Sequence, residues 1–187
     1  MQFSKVHGFL ASALLAVAHS ATAGVINFED LNGDAELEGV GPTYSAQGFT
    51  FTYTPAPNEP YPTSLHSVGP GWAYNDGTIA LNCNSDNATT TLTHNNNRAF
   101  AILAIDLAEL NGPNVPSSIT FVGTTRAGAT VIHTVELDNV AGVERFFFPA
   151  SFRNLTSVTW QQGDNVTNGP HMFDNVVVVP SKFRPKN

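Results

Sequence analysis

Short runs of strand-forming residues, separated by turn residues, recur along almost the whole chain. Each run is rich in β-branched and aromatic residues and is five to eight residues long, whereas few windows show the 3.6-residue period of a helix. Pairs such as Asn32-Gly33 and Gly169-Pro170 lie between the runs. About ten short strands at this spacing predict an all-β protein, an antiparallel β-sandwich of the jelly-roll type. The runs are Val25–Glu29, Phe49–Tyr53, Ala88–Thr93, Ala99–Asp106, Ser118–Val122, Thr130–Leu137, Glu144–Phe148, Leu155–Gln161 and Met172–Val179.

The first 23 residues have the order of a secretory signal peptide. Lys5 precedes an apolar stretch from Phe9 to Ala18, and Ala21-Thr22-Ala23 supplies the small residues of a cleavage site. The apolar stretch is about half the length needed to span a bilayer as a helix. We therefore expect cleavage after Ala23, one β-sandwich domain over 24–180, a polar tail over 181–187, and secretion to the extracellular space.

The net charge limits the classes of binding partner, and the cysteine content limits the possible sources of stability. The formal net charge is −7, and it becomes −8 without the leader, whose only charged residue is Lys5. An acidic surface repels phosphate backbones and anionic lipids, which argues against nucleic-acid and membrane partners. The single cysteine, Cys83, excludes an intramolecular disulfide. We interpret Cys83 as a small buried residue; a reactive thiol or an intermolecular bridge is the alternative.

The irregular stretch from Thr54 to Asp76 is the predicted location of a ligand site. It contains five prolines, and loops of this length in a compact domain are often functional. An exposed aromatic ring flanked by amides and a carboxylate suits a sugar, because the ring stacks on the pyranose while the polar groups bind its hydroxyls. Alternatively, the aromatic residue folds back to close one end of the sandwich. The predicted ligand-binding residues are Trp72, Tyr74, Asn75 and Asp76.

No pattern in the sequence specifies an enzymatic reaction. The motif G-x-S-x-G of a nucleophile elbow does not occur, and no spacing selects a pair of carboxylates for glycoside hydrolysis. The histidines outside the leader lack the i, i+2 or i, i+4 spacing of transition-metal ligands, which argues against such a metal. These four histidines are His66, His94, His133 and His171.

Two carboxylates near the ends of the domain form a candidate metal site. Glu29 lies at the end of the first predicted strand, and Asp174 lies within the last. Where the terminal strands of a sandwich lie side by side, such carboxylates can meet and bind calcium, which prefers oxygen ligands. Glu29 and Asp174 are therefore the predicted ligands of a structural calcium ion, and two solvated strand-end charges are the alternative.

Aromatic residues within the strand-like runs are expected to form the core. We expect the six phenylalanines Phe49, Phe51, Phe100, Phe121, Phe147 and Phe173 to be buried. Trp160 would either join them or line a concave face. Three N-glycosylation sequons begin at Asn87, Asn154 and Asn165, and they have meaning only if the chain passes through a eukaryotic secretory pathway.

Taken in order, several segments resemble the extracellular domain of exosortase-sorted (PEP-CTERM) proteins. These segments are Ile26–Glu29, Gln47–Phe51, Ala99–Ala108, Ile119–Gly123, Leu155–Trp160 and Phe173–Val178. The resemblance implies a bacterial secreted or surface protein associated with exopolysaccharide, with a fold similar to jelly-roll carbohydrate-binding modules. Members of that family usually end in a Pro-Glu-Pro signal, a transmembrane helix and a basic cluster, and this chain ends differently at Pro180–Asn187. We therefore expect release rather than anchoring.

The sequence as a whole favours a secreted, non-catalytic module that binds extracellular polysaccharide or matrix glycan. A structural or host-interaction protein that recognises a protein partner is the first alternative, and a large apolar surface patch would favour it. A secreted glycan hydrolase is the second, and a cleft with paired carboxylates would favour it.

Overall fold

The described part of the chain is built from β-strands. The computed structural model describes residues 22–33, 37–57, 64–72, 75, 77–111, 115–164 and 166–181, which contain thirteen strands and no helix. The strands are β1 (Gly24–Ile26), β2 (Leu37–Gly41), β3 (Thr43–Ala46), β4 (Phe49–Thr54), β5 (Leu65–Val68), β6 (Ala80–Cys83), β7 (Thr89–His94), β8 (Phe100–Glu109), β9 (Ser118–Thr125), β10 (Thr130–Glu136), β11 (Glu144–Phe147), β12 (Leu155–Gln161) and β13 (His171–Pro180).

The strands form two antiparallel layers, and one residue pair connects them. One layer has the order β2-β5-β6-β13-β8-β11, with β1 beside β13. The other has the order β3-β4-β7-β12-β9-β10. A single residue pair, Leu155 with Phe100, connects β12 of the second layer to β8 of the first. The prediction of a jelly-roll-like antiparallel β-sandwich is confirmed.

Alternation along the strands places aromatic residues between the two layers. In β4, Phe49, Phe51 and Tyr53 face inward, while the threonines between them face outward. The ring of Phe51 packs 5.7 Å from that of Phe173 on β13, which belongs to the opposite layer. These ring contacts hold the two layers together, since aromatic side chains bury large apolar areas and add favourable edge contacts.

The prediction of a buried Phe147 is wrong, because its side chain is 72% exposed. Phe146, Phe147 and Phe148 are consecutive, and the two-residue period of a strand does not allow all three to face the same side. Phe146 and Phe148 pack against the core, which turns Phe147 outward. The other five predicted core phenylalanines are buried, and so is Trp160.

The prediction of an irregular stretch over the whole of Thr54–Asp76 is also wrong. Strand β5 lies within it and pairs with β2 and with β6. Strands β2, β3, β5 and β6 all fall outside the nine predicted runs. Each has only four or five residues, and β2 contains two glycines, so their periodicity is too short to detect.

The interpretation of Cys83 as a buried packing residue is confirmed. Its side chain is 3% exposed, and its Sγ lies 2.9 Å from the hydroxyl oxygen of Thr90. Burial raises the pKa of the thiol to about 12, and the thiolate is the reactive form.

We therefore expect the folded protein not to react with a maleimide at neutral pH, because Cys83 is both inaccessible and protonated. The same chain in guanidinium chloride should be labelled completely, as mass spectrometry would show. Labelling of the folded protein at the rate of the unfolded chain would contradict the buried position.

Within the described ranges, no helix is long and apolar enough to cross a membrane. The apolar stretch of the predicted signal peptide and the last six residues of the predicted tail lie outside the described residues. Cleavage after Ala23 and the domain limits therefore stay predictions.

Candidate functional site

Trp72 is anchored to the sandwich. Its ring is half-buried and packs against a small apolar cluster that includes Val68, Ala108 and Met172. The indole N–H donates a hydrogen bond to the backbone carbonyl of Leu110. The indole therefore has neither its donor nor its full surface available for a ligand.

The side chain of Asn75 is likewise engaged in hydrogen bonds within the protein. Its side-chain amide nitrogen lies within hydrogen-bond distance of three backbone carbonyl oxygens, those of Val68 at 2.9 Å, Gly69 at 3.1 Å and Thr78 at 2.8 Å. Tyr74 and Asp76, the other two predicted ligand-binding residues, lie outside the described residues. A ligand site in this loop stays a prediction.

Glu29 and Asp174 are the predicted calcium ligands, and they lie close enough for the charge of Glu29 to raise the pKa of Asp174. Asp174 is 4% exposed, so it is not a solvated strand-end charge, and it accepts a hydrogen bond from the Thr78 hydroxyl at 3.0 Å. Glu29 accepts one from the backbone N–H of Ile79, also at 3.0 Å. Burial, and to a lesser extent the charges of Glu29 and Asp106, raises the pKa of Asp174 to about 6. Calcium at this pair stays a prediction.

A polar cleft of about 490 Å³ lies on the outer face of the second layer. Its base is formed by outward-facing side chains of neighbouring strands. Thr159 of β12 is paired with Val122 of β9, and Gln161 is paired with Thr89 of β7. The lining residues are Asn87, Thr89, Ser118, Thr120, Val122, Thr159, Trp160, Gln161, Gln162, Asp164 and Asn168. Hydroxyl and amide groups dominate this list.

One wall of the cleft is a tightly bonded turn after β12. Asp164 accepts backbone N–H bonds from Val166, Thr167 and Asn168 at 2.7–2.9 Å and a hydroxyl bond from Thr167 at 2.6 Å. These bonds, first that from the Thr167 hydroxyl, hold the pKa of Asp164 well below its usual range. The side chain of Asn168 then bonds to both backbone groups of Ser118, at 2.7 and 2.9 Å. The wall is thereby fixed to the start of β9.

The opposite side of the cleft is joined to β12 through Gln161. Its amide nitrogen donates to the backbone carbonyl of Asn87 at 3.0 Å. The next residue, Gln162, donates a hydrogen bond to the backbone carbonyl of His171 at 3.0 Å. Burial lowers the pKa of the His171 side chain to about 3. A neutral His171 is required there, because a fully buried charge without a partner is costly.

Trp160 contributes the apolar part of the cleft. Its side chain is 2% exposed and packs 5.1 Å from the ring of Phe173, so it belongs mainly to the core. Its indole N–H has no hydrogen-bond partner among the described residues. The residue thus supports the cleft from below and does not provide an exposed stacking platform.

The electrostatics of the cleft suit an uncharged ligand. Among its described lining residues there is no lysine, arginine or histidine, and Asp164 is the sole carboxylate. Glycoside hydrolysis requires two carboxyl groups about 5–10 Å apart across the substrate. The described lining supplies one, and that one is occupied by four hydrogen bonds.

The ligand site predicted from the sequence, in the loop that contains Trp72 and Asn75, lies in a different part of the chain from this cleft. None of the cleft residues was predicted to bind a ligand, apart from the suggestion that Trp160 lines a concave face. The sequence pattern that could have indicated the cleft is the alternation in β7 and β12. Threonine and glutamine recur there at every second position, so their side chains share the outward face. Asn87, the first sequon residue, lines the cleft, whereas Asn165 lies outside the described residues.

Exposed large apolar side chains are scattered over separate segments. Val25, Ile132, Val140, Phe147 and Val166 belong to β1, β10, the β10–β11 loop, β11 and the cleft wall, respectively. Single exposed apolar residues are ordinary on soluble proteins. They do not specifically favour a protein partner.

No family model and no curated protein matches this chain. Solved structures with a similar arrangement include family 29 carbohydrate-binding modules. One from Piromyces equi has a TM-score of 0.43 at 12% identity, over 90% of this chain and 97% of that one. A mutant module of the same family in complex with mannohexaose has a TM-score of 0.47 at 11% identity, over 86% of this chain and 93% of that one. Both TM-scores are below 0.5, so neither the fold nor the ligand of this chain follows from them.

Proposed function

We propose that this chain is a secreted, non-catalytic module that binds a neutral extracellular polysaccharide in the cleft beside β12. The observation that carries the proposal is the lining of the cleft, in which hydroxyl and amide side chains surround a volume of about 490 Å³. This volume lies in the usual range for ligand sites, about 300–1,000 Å³.

The chemistry of the lining matches that of a sugar. A neutral saccharide presents many hydroxyl groups, each able to donate and accept, and threonine, serine, asparagine and glutamine side chains offer both functions. An anionic ligand would need a cationic partner, which the described lining lacks, and the net charge of −7 would repel it.

The rigid wall favours binding without rearrangement. The hydrogen bonds of Asp164 and Asn168 fix the turn before any ligand arrives. A preformed site loses less conformational entropy on binding, so modest polar contacts can suffice. The extracellular location rests on the signal peptide predicted from the sequence.

The proposal is tested with two conservative cleft variants, Thr120→Val and Thr159→Val. Each removes a hydroxyl but keeps the β-branched shape. The Thr120 hydroxyl also bonds to that of Thr134 at 2.9 Å, and the Thr159 hydroxyl to the carbonyl of Val122 at 3.4 Å, so thermal unfolding must show that the fold is retained. We expect the two together to weaken binding of a neutral polysaccharide such as a mannan or β-glucan roughly tenfold or more, because each lost hydrogen bond costs about 0.5–1.5 kcal/mol. Isothermal titration calorimetry measures the loss.

Two further variants distinguish binding in the cleft from binding in the loop that contains Trp72. Thr130→Val changes an exposed threonine of β10 outside the cleft lining and should leave the affinity unchanged. Trp72→Ala should also leave it unchanged, since the indole is packed against the sandwich. Loss of binding in Trp72→Ala alone would move the site to the predicted loop, and failure to bind any neutral glycan on an array would reject the proposed function.

A further inference from the structure

Three carboxylates from separate parts of the sequence meet at one end of the first layer. Glu109 is the last residue of β8, Asp138 follows β10, and Glu144 is the first residue of β11. A carboxylate oxygen of each lies within 4.8 Å of one from each of the others. We call Glu109, Asp138 and Glu144 the acidic triad; it is separate from the cleft and from the pair Glu29 and Asp174.

Glu109 is buried with one oxygen unsatisfied. Its side chain is 2% exposed, and Oε1 accepts a hydrogen bond from the backbone N–H of Asn139 at 2.9 Å. Oε2 is buried and has no hydrogen-bond partner among the described residues, and the same is true of Oδ1 of Asn139. Leaving a buried acceptor without a partner costs free energy, and more so for a charged group. A bound ligand that accepts electron pairs would remove this cost.

The β10–β11 loop holds the triad together through its backbone. The N–H of Asp138 donates to Oε1 of Glu144 at 3.0 Å, and Oδ1 of Asp138 accepts from the N–H of Val140 at 2.8 Å. In each of the three carboxylates, the hydrogen bond named here occupies only one of the two oxygens. Each carboxylate therefore keeps an oxygen that these bonds do not use, and all three candidate ligands are oxygen donors.

The nearest basic residue in the sequence does not neutralise the triad. Arg145 directs its guanidinium to Asp106, with N–O distances of 2.6 and 2.9 Å. Three carboxylates this close repel one another, and a bound cation would offset that repulsion.

We propose that the acidic triad binds a calcium ion. Calcium takes six to eight oxygen ligands in flexible geometry, so a partly exposed site can be completed by water. Magnesium demands near-ideal octahedral geometry and gives up water reluctantly, and zinc prefers nitrogen and sulfur ligands. The ion would tie the end of β8 to the β10–β11 loop.

The test is a calcium titration of the full chain after treatment with a chelator and dialysis. We expect one site with a Kd of roughly 0.1–1 mM, the range of extracellular modules. Calcium at about a hundred times its Kd should raise Tm by roughly 5–10 °C. Glu144→Gln, which changes a partly exposed side chain, should weaken binding at least tenfold, and Glu109→Gln should do the same.

Two control variants make the result specific. Glu136→Gln removes an exposed carboxylate of β10 outside the triad and should bind calcium normally. Asp174→Asn should also bind normally, and loss of binding there, with Glu144→Gln unaffected, would assign the ion to Glu29 and Asp174 instead. The triad site would be rejected by that result or by a chain that binds no calcium at millimolar concentration. Neither result would affect glycan binding in the cleft.

Discussion

Replacing Phe51 by alanine should lower the free energy of unfolding by about 3–5 kcal/mol, because a fully buried aromatic ring leaves a large cavity. The ring has no exposed surface and packs 5.5 Å from Phe28, 5.7 Å from Phe173 and 6.4 Å from Trp160. Domains are stable by only about 5–15 kcal/mol, so this change removes a large share of the total. Urea denaturation followed by tryptophan fluorescence measures the loss.

Phe147→Ala is the matched control, since it makes the same chemical change on a ring that is 72% exposed. We expect its unfolding midpoint to stay close to that of the parent chain, because surface substitutions usually change stability by about 0.5 kcal/mol or less. Equal losses in the two variants would mean that Phe51 does not join the two layers as described.

Strands such as β4 and β12 were predictable because their burial alternates. In β4 and β12, apolar and polar residues alternate along the strand, and the residues that face the core are buried. Local periodicity is enough to detect such a strand. The fully buried β6, Ala80–Cys83, shows no alternation, since it is covered on both faces. Its four residues look the same as any short apolar run.

The candidate sites were harder to predict because their residues are brought together by pairing between distant strands. The cleft combines Asn87, Ser118 and Asn168, and the acidic triad combines residues 35 positions apart in the chain. Strand order and register decide these neighbours, and neither can be read from one sequence without the pairing partners. For Trp72, composition was enough to identify the loop but not the position of the side chain. The indole N–H is bonded to the carbonyl of Leu110, which follows β8 and is distant in the sequence.

Gly163→Ala should destabilise the cleft wall and abolish ligand binding. A Cβ atom at position 163 would lie within 3.0 Å of the carbonyl oxygens of Asn168 and Gly169, which are backbone atoms and cannot rotate away. The turn would have to shift, and with it the two bonds between Asn168 and Ser118. Overpacking of this kind costs about 1–3 kcal/mol. Thermal unfolding gives the stability loss, and calorimetry with the polysaccharide gives the loss of affinity.

Gly39→Ala provides the comparison, because a Cβ there meets its nearest neighbours, in His66 and Ser64, at 3.8 and 4.0 Å, which is ordinary contact. It adds the same methyl group to an exposed position of β2 and should leave both Tm and affinity nearly unchanged. If Gly163→Ala unfolds at the parent temperature but no longer binds, the turn has moved without loss of the fold, and the cleft wall is part of the ligand site. If it binds as well as Gly39→Ala does, the polysaccharide does not depend on this wall, and the cleft is not its site.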